Sequence, residues 1–287
     1  MTTIGPVIHT VVITADSGSA ELAADALRVL GAAAVEERPA ADSAAVEVVA
    51  VLGEPGAGLE SAVETLSASW PVRVEVVDGR PAETWKDFAR PVEIDGWLIL
   101  RPEWCPSSGD LGRDTIEVVI DPGASFGLGD HPTTRLCAAA LGRLVRPDDL
   151  VLDMGCGSGV LSVVACRLGA RRVVAVDIAP DAVLAAERNA ALNGVAVRMD
   201  VRLGSVVPDV TVDVVVANIL APVLVEQCCD LVAAVAPGGR LVLSGLLADR
   251  HVHVLEAYRS AGLRFDELTE SDGWCALVFS RDALPRP

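Results

Sequence analysis

Twice between residues 151 and 177 the chain runs apolar residues into a carboxylate, with three closely spaced glycines in between. The first run is Val151-Leu-Asp-Met-Gly-Cys-Gly-Ser-Gly159, which opens into a helical pattern. The second is Arg172-Val-Val-Ala-Val-Asp177. A strand, a glycine turn, a helix and a second strand form a unit whose strands must lie parallel, joined by a right-handed crossover. Glycines at such a turn let the backbone approach a ligand closely, because no Cβ intervenes. A carboxylate about 20 residues further on can accept hydrogen bonds from both ribose hydroxyls of an adenosine.

The alternation continues on both sides of this unit. Strands are predicted at 150–153, 172–177, 197–203, 212–217 and 240–246, with helices between them at about 159–168, 180–193, 220–235 and 249–261. A further helix runs from Thr133 or Thr134 to Leu144. This pattern predicts a parallel sheet covered on both faces, hence doubly wound. The end differs: 263–269 and 274–280 read as two strands joined by Glu270-Ser-Asp-Gly273, a hairpin that makes the final strand antiparallel and brings the sheet to seven strands.

The first 80 residues follow another plan. Strands at 7–14, near 34–37, at 46–52 and at 72–77, with helices at about 17–30 (Ser17 as cap) and 58–69, give the order strand–helix–strand–strand–helix–strand. That order predicts a small ferredoxin-like α+β domain. With no catalytic constellation in it, its expected role is recognition. Residues 81–96, rich in proline and charge and pinned by Trp85 and Phe88, read as a linker. Residues 97–287 form the second domain, which starts with strands at 97–101 and 116–121.

The formal net charge of −17 argues against a phosphate-binding surface, so no direct nucleic-acid contact is expected. The first 80 residues hold 12 acids and 4 bases, a strong excess that suits a basic partner. No apolar run is long enough to span a membrane, and the N-terminus lacks the features of a signal peptide. Seven scattered cysteines, without metal-ligand spacing, read as reduced thiols in the cytoplasm, Cys228 and Cys229 included, and no metal is expected.

Two features choose among nucleoside cofactors. A dinucleotide turn beginning at Gly155 needs its third glycine at position 160, which is Val160; here that glycine is Gly159. The pattern also places Asp153 two residues before the first glycine, which suits a cofactor bearing an ammonium group and no pyrophosphate. S-adenosylmethionine has that chemistry, and the terminal hairpin fits the methyltransferase version of the doubly wound sheet. Cofactor contacts are therefore expected at Asp153, Gly155, Gly157, Asp177 and the adjacent Ile178.

Two more segments bear on the chemistry. Val212-Asp-Val-Val-Val-Ala-Asn-Ile-Leu-Ala221 is a strand ending in Asn218, at the sheet edge where ligands bind. Asn218 and nearby carbonyls offer acceptors that would orient an amine with its lone pair toward a methyl group. The alternative is that Asn218 merely caps the next helix, and both roles can coexist. Asp121-Pro-Gly-Ala-Ser-Phe-Gly-Leu-Gly-Asp-His-Pro-Thr-Thr134 is a loop running into a helix, whose free N–H groups would suit the carboxylate of the cofactor. His131 reads as a loop-shaping histidine at least as well as a base.

At three motifs the chain resembles the PrmA family, the methyltransferases of ribosomal protein L11: Phe126 to Thr134, Asp153 to Gly159, and Asn218 to Ala221. The resemblance covers about residue 85 to the end; the first domain matches in architecture alone. It implies cofactor contacts at Thr134, Gly155, Asp177 and Asn218. It further implies a ferredoxin-like domain that grips the basic ribosomal protein, with transfer to lysine and N-terminal amines. The family's threonines at 128 and 130 are Leu128 and Asp130 here, in the loop expected to cover the site. A small-molecule amine is the alternative substrate on the same scaffold, and a non-catalytic cofactor-binding module is the third reading.

Overall fold

The computed structural model describes residues 7–16, 19–30, 32, 35–40, 45–52, 57–78, 90–107, 109, 112, 115–121 and 129–283. Ser17, Trp85, Phe88 and Leu128 lie outside them. The chain forms two compact units, Met1–Ala89 and Arg90–Pro287.

In the first unit, β1 (Val7–Asp16), α1 (Ala20–Val29), β2 (Val35–Pro39), β3 (Ala45–Val51), α2 (Ala57–Ser67) and β4 (Val72–Asp78) follow one another. The strands form one sheet in the order β2-β3-β1-β4 with every pairing antiparallel. Period-two alternation places Val11, Ile13, Ala15, Val48 and Ala50 on the face that packs with Ala20, Ala23, Ala24 and Leu27 of α1 and Leu59 and Leu66 of α2. Asp16 accepts the backbone N–H of Ser19 at 3.0 Å as the chain enters α1.

An ion-pair lattice crosses the other face of this sheet. Arg38 on β2 pairs with Glu47 on β3 at 2.8 Å and with Glu75 on β4 at 3.1 Å. Arg73 on β4 pairs with Glu47 at 2.9 Å and Glu75 at 2.8 Å. The arginine hydrogen bonds hold both glutamates below the usual carboxylate range. Val12 and Val49, in register with Arg73 and Glu36, are buried on this same face.

The second unit opens with a three-stranded sheet of β5 (Val92–Ile94), β6 (Leu98–Pro102) and β7 (Ile116–Ile120). Residues 92–94 fall in the stretch expected to be a linker. They form a strand because Asp95 and Gly96, both at positive φ, make a tight hairpin that sets Val92 opposite Leu100.

Next come α3 (Pro132–Leu144), β8 (Leu150–Met154), α4 (Val160–Arg167), β9 (Arg172–Asp177), α5 (Pro180–Leu192), a 3-10 turn at Ala196–Arg198 and β10 (Met199–Leu203). They are followed by β11 (Val212–Asn218), α6 (Ala221–Glu226), α7 (Cys228–Ala234), β12 (Val235–Leu247), α8 (Val252–Ser260), β13 (Arg264–Ser271) and β14 (Trp274–Ser280). The seven-stranded sheet has the order β10-β9-β8-β11-β12-β14-β13. Its pairings are parallel except those of β14, which runs antiparallel to both β12 and β13.

Successive strand residues feed two cores, which is why these strands are apolar throughout. Val151, Val173, Val214 and Val216 join α3, α4 and the three-stranded sheet on one face. Leu152, Val174, Val215 and Ala217 join Leu224, Leu231, Val254 and Tyr258 of α6, α7 and α8 on the other.

Two expectations change in detail. The single helix expected over 220–235 is two, broken at Gln227, whose side-chain amide donates to the Ser205 carbonyl at 2.7 Å. The terminal hairpin turns on Asp272 and Gly273 alone, both at positive φ.

Candidate functional site at the carboxyl edge of the sheet

The order of the sheet puts β8 between β9 and β11. The strand order reverses at this point, from β8 through β9 to one side and on to β11 on the other, and the crevice beyond the strand ends is where ligands bind in open α/β sheets. Asp153, Asp177 and Asn218 stand at or next to the last residues of these three adjacent strands.

The glycine turn is held to β9 by its backbone. Gly155 and Cys156 both donate to the Val176 carbonyl, at 2.8 and 3.0 Å. Gly157 donates to Asp177 Oδ2 at 2.8 Å, and Ala179 donates to Oδ1 at 2.9 Å. Gly155, Gly157 and Gly159 have φ of +75°, +53° and +77°, a region that suits glycine. Asp177 thus fixes the turn and the entry to α5 together. Each of its oxygens retains a further lone pair for a hydroxyl donor. Ile178 is 70% exposed beside it, an apolar platform at the same edge.

Asp153 is 1% exposed. Its Oδ2 accepts the Ser162 hydroxyl at 2.6 Å, while Oδ1 is buried with no hydrogen-bond partner among the described residues. Burial pushes its pKa up to about 7, opposed by the Ser162 hydrogen bond and reinforced by the Asp177 charge. A buried acceptor without a donor is costly, and a cationic donor would relieve it. Together the turn, Asp177, Ile178 and this orphan oxygen fit a nucleoside joined to a cationic group. Among the described residues no cluster of His, Cys, Asp or Glu is placed to hold a metal.

Asn218 is half-buried at the end of β11, in register with Ser244 on β12. It does not cap the next helix: Leu220 occupies the N-cap of α6, without a side-chain cap. The turn after it is locked from two sides. Ile219 donates to the Ser244 carbonyl at 3.2 Å, and its side chain sits so close over Gly155 that a Cβ there would overlap it. A Cβ on Gly245, at φ +84°, would overlap the Ile219 carbonyl.

Thr133 and Thr134 are both 2% exposed in the first turn of α3. The amides expected to be free are taken by His131, the N-cap. Its Nδ1 accepts the Thr133 N–H at 3.3 Å, and its carbonyl accepts those of Thr134 and Arg135 at 3.0 and 3.1 Å. The ring also stacks edge-on against Trp274, centroids 4.9 Å apart, and burial lowers its pKa. His131 is therefore a structural cap. Asp130 is exposed just before it.

Ser162, Ile219, Gly245 and Trp274 shape the site without having been singled out in the sequence. Leu243-Ser-Gly-Leu-Leu247 carried a signal for Gly245, since a glycine inside a strand marks a close backbone approach. Ile219 and Trp274 gain their roles through contacts distant in sequence, and Ser162 through Asp153, nine residues before it.

The seven-stranded mixed sheet with helices on both faces and a site at this edge defines a methyltransferase-like α/β fold. A crystal structure of ribosomal protein L11 methylase from Lactobacillus delbrueckii subsp. bulgaricus superposes with a TM-score of 0.63 at 31% identity, covering 68% of this chain and all of that one. The family model of ribosomal protein L11 methyltransferase (PrmA) matches residues 9–282, and the chain belongs to this family. The enzyme of that name from Geobacter sulfurreducens is 45% identical over 201 residues. That match covers 70% of this chain and 66% of the relative, just under two thirds of its length. The enzyme of the same name from Pelotomaculum thermopropionicum is 41% identical over 237 residues, covering 81% of this chain and 73% of the relative.

Proposed function

We propose that this protein is a cytoplasmic N-methyltransferase that uses S-adenosylmethionine to methylate lysine and N-terminal amines of ribosomal protein L11. The observation that carries the reading is the meeting of Asp153, Asp177 and Asn218 on three adjacent strand ends beside the glycine turn. Family membership supports the substrate.

Each residue has a distinct part. Asp177 binds the ribose hydroxyls and Ile178 carries the adenine face. Gly155 and Gly157 let the chain pass close to the cofactor, and Asp153 Oδ1 receives its ammonium group. Thr134 and the first turn of α3 face its carboxylate, with the helix dipole rather than free amides as the attraction. S-adenosylmethionine supplies a methyl group already activated by a sulfonium, so the protein's work is positioning. Asn218 also borders the cofactor and orients the incoming amine through its side-chain oxygen. A solvated lysine, with pKa about 10.4, is charged at neutral pH, so the site must desolvate it to its neutral form.

The first unit is a ferredoxin-like module, supported by its antiparallel order β4-β1-β3-β2 and two helices on one face. Its acidic excess suits a basic ribosomal protein. Incubation with tritiated S-adenosylmethionine and purified ribosomal proteins tests the whole reading. Label on L11 is expected. Label confined to a small-molecule amine would overturn the substrate, and no transfer to any acceptor would overturn the enzymatic reading.

A further inference from the structure

Asn189, on α5, is 0% exposed, and its amide ties together three segments far apart in sequence. Its Oδ1 accepts the Asp121 N–H at 2.9 Å, and its Nδ2 donates to the Asp121 carbonyl at 3.0 Å. Nδ2 also donates to the Ser158 carbonyl, inside the glycine turn, at 2.8 Å. Both amide hydrogens are thus engaged, at a residue closed to solvent. Four residues on, Asn193 forms the same two-bond clasp with Val119 of β7, accepting at 2.9 Å and donating at 2.7 Å. Its second amide hydrogen goes to the Asn189 carbonyl at 2.8 Å, so it does not reach the glycine turn.

The same face of α5 carries Ala186, whose Cβ would lie 2.9 Å from a Cβ on Gly159. Arg188 pairs with Asp121 Oδ2 at 2.7 Å. The glycine turn is therefore bound on one side by Val176 and Asp177 and on the other by α5. That helix itself begins just after Asp177. Within the turn Gly159 donates to the Cys156 carbonyl at 2.8 Å, and the other bonds that hold its three left-handed residues come from outside it.

We infer that Asn189 is a positioning residue for the cofactor site, clasping the glycine turn to the end of β7 so that the turn is preformed at a fixed distance from Asp177. The inference rests on the reading of that turn as the S-adenosylmethionine site. Asn193 supplies the internal control, being the same amide at the C-cap of α5 in the same two-bond clasp, on β7 itself and without the bond to the turn.

Asn189→Asp keeps the side-chain volume and the bond from the Asp121 N–H but loses both donated bonds; Asn193→Asp does the same one helical turn later. Calorimetry with S-adenosylmethionine on the full chain should show at least a tenfold weaker Kd for Asn189→Asp. Asn193→Asp should stay within about twofold of the parent at a comparable loss of Tm. Hydrogen exchange without cofactor should speed up at the Gly157 and Gly159 amides in Asn189→Asp and not in Asn193→Asp. Equal changes of Kd in the two variants, or an unchanged Kd in Asn189→Asp, overturn the inference. If the parent chain binds no S-adenosylmethionine, the functional reading fails and the exchange data decide the clasp: faster turn exchange confined to Asn189→Asp upholds it, and equal exchange overturns it. Should Asn189→Asp not fold, Asn189→Ser, which can keep one donor toward Ser158, is expected to bind more weakly than the parent, and unaltered affinity there is equally decisive.

Discussion

Asp153 is the residue whose surroundings most contradict its chemistry: an acid, nearly fully buried, with one oxygen bonded to Ser162 and the other without a partner among the described residues. Its pKa, raised to about 7 by burial, means the fold favours the protonated form. The stability it contributes is present below the ordinary carboxylate pKa and is lost as pH rises through about 7. The parent's Tm should therefore fall between pH 5 and 8 more steeply than that of Asp153→Asn; parallel profiles would refute the shift. A cationic group arriving at Oδ1 would expel the proton. Binding heats of S-adenosylmethionine near pH 7 should accordingly vary with the ionisation enthalpy of the buffer. On the proposed function, Asp177 and Asn218 divide binding from turnover. Asp177→Ala frees the Gly157 and Ala179 amides as well as losing the ribose acceptor, and should weaken cofactor affinity at least tenfold, about 1.4 kcal/mol. Asn218→Ala should lower kcat far more than it changes cofactor Kd, and unchanged turnover would remove it from the reaction.

At the scale of elements, the site is built where strand ends abut turns that only glycine can make. Gly245 on β12 and Gly273 in the terminal hairpin have similar φ, +84° and +79°. A Cβ on Gly273 meets nothing, whereas one on Gly245 would overlap the Ile219 backbone. Gly273→Ala should therefore cost the backbone strain alone, about 1 kcal/mol. Gly245→Ala must also displace Ile219, which covers Gly155, and should cost more than about 3 kcal/mol while weakening cofactor binding. Denaturant unfolding of the two variants tests the contrast, and equal losses would show that Ile219 yields freely. Helix α5 was legible as a helix from its spacing. Its Asn189 and Asn193 were legible only as two polar residues four apart, because their partners on β7 and at Ser158 are distant in sequence.

For the whole molecule, each unit has its own core. The first gathers one sheet face and two helices; the second has a core on each face of the seven-stranded sheet, and one of these takes in the three-stranded sheet. A chain starting at Arg90 should fold and bind S-adenosylmethionine within about threefold of the parent, yet lose transfer to L11. Retained transfer at full rate would remove the first unit from recognition. Among the described residues no helix is long and apolar enough to cross a membrane.

The sequence by itself determined the alternation of strands and helices, the glycine turn with its two carboxylates, and the terminal hairpin. These are local: hydrophobic period, turn chemistry and spacing are written in consecutive residues. It also carried Asn218, because that residue ends a strand whose edge binds ligands in such sheets. Only the tertiary structure decided that Asp153 is left with an orphan oxygen, that His131 consumes the amides at the start of α3, and that Leu220 rather than Asn218 takes the cap of α6. It alone decided that an acidic and basic lattice roofs one face of the first sheet. The reason for Asp153 and the lattice is physical: burial, pKa and hydrogen-bond satisfaction there depend on which distant segments are brought within a few ångströms; the caps at His131 and Leu220 are local, but the sequence left the first residue of each helix open.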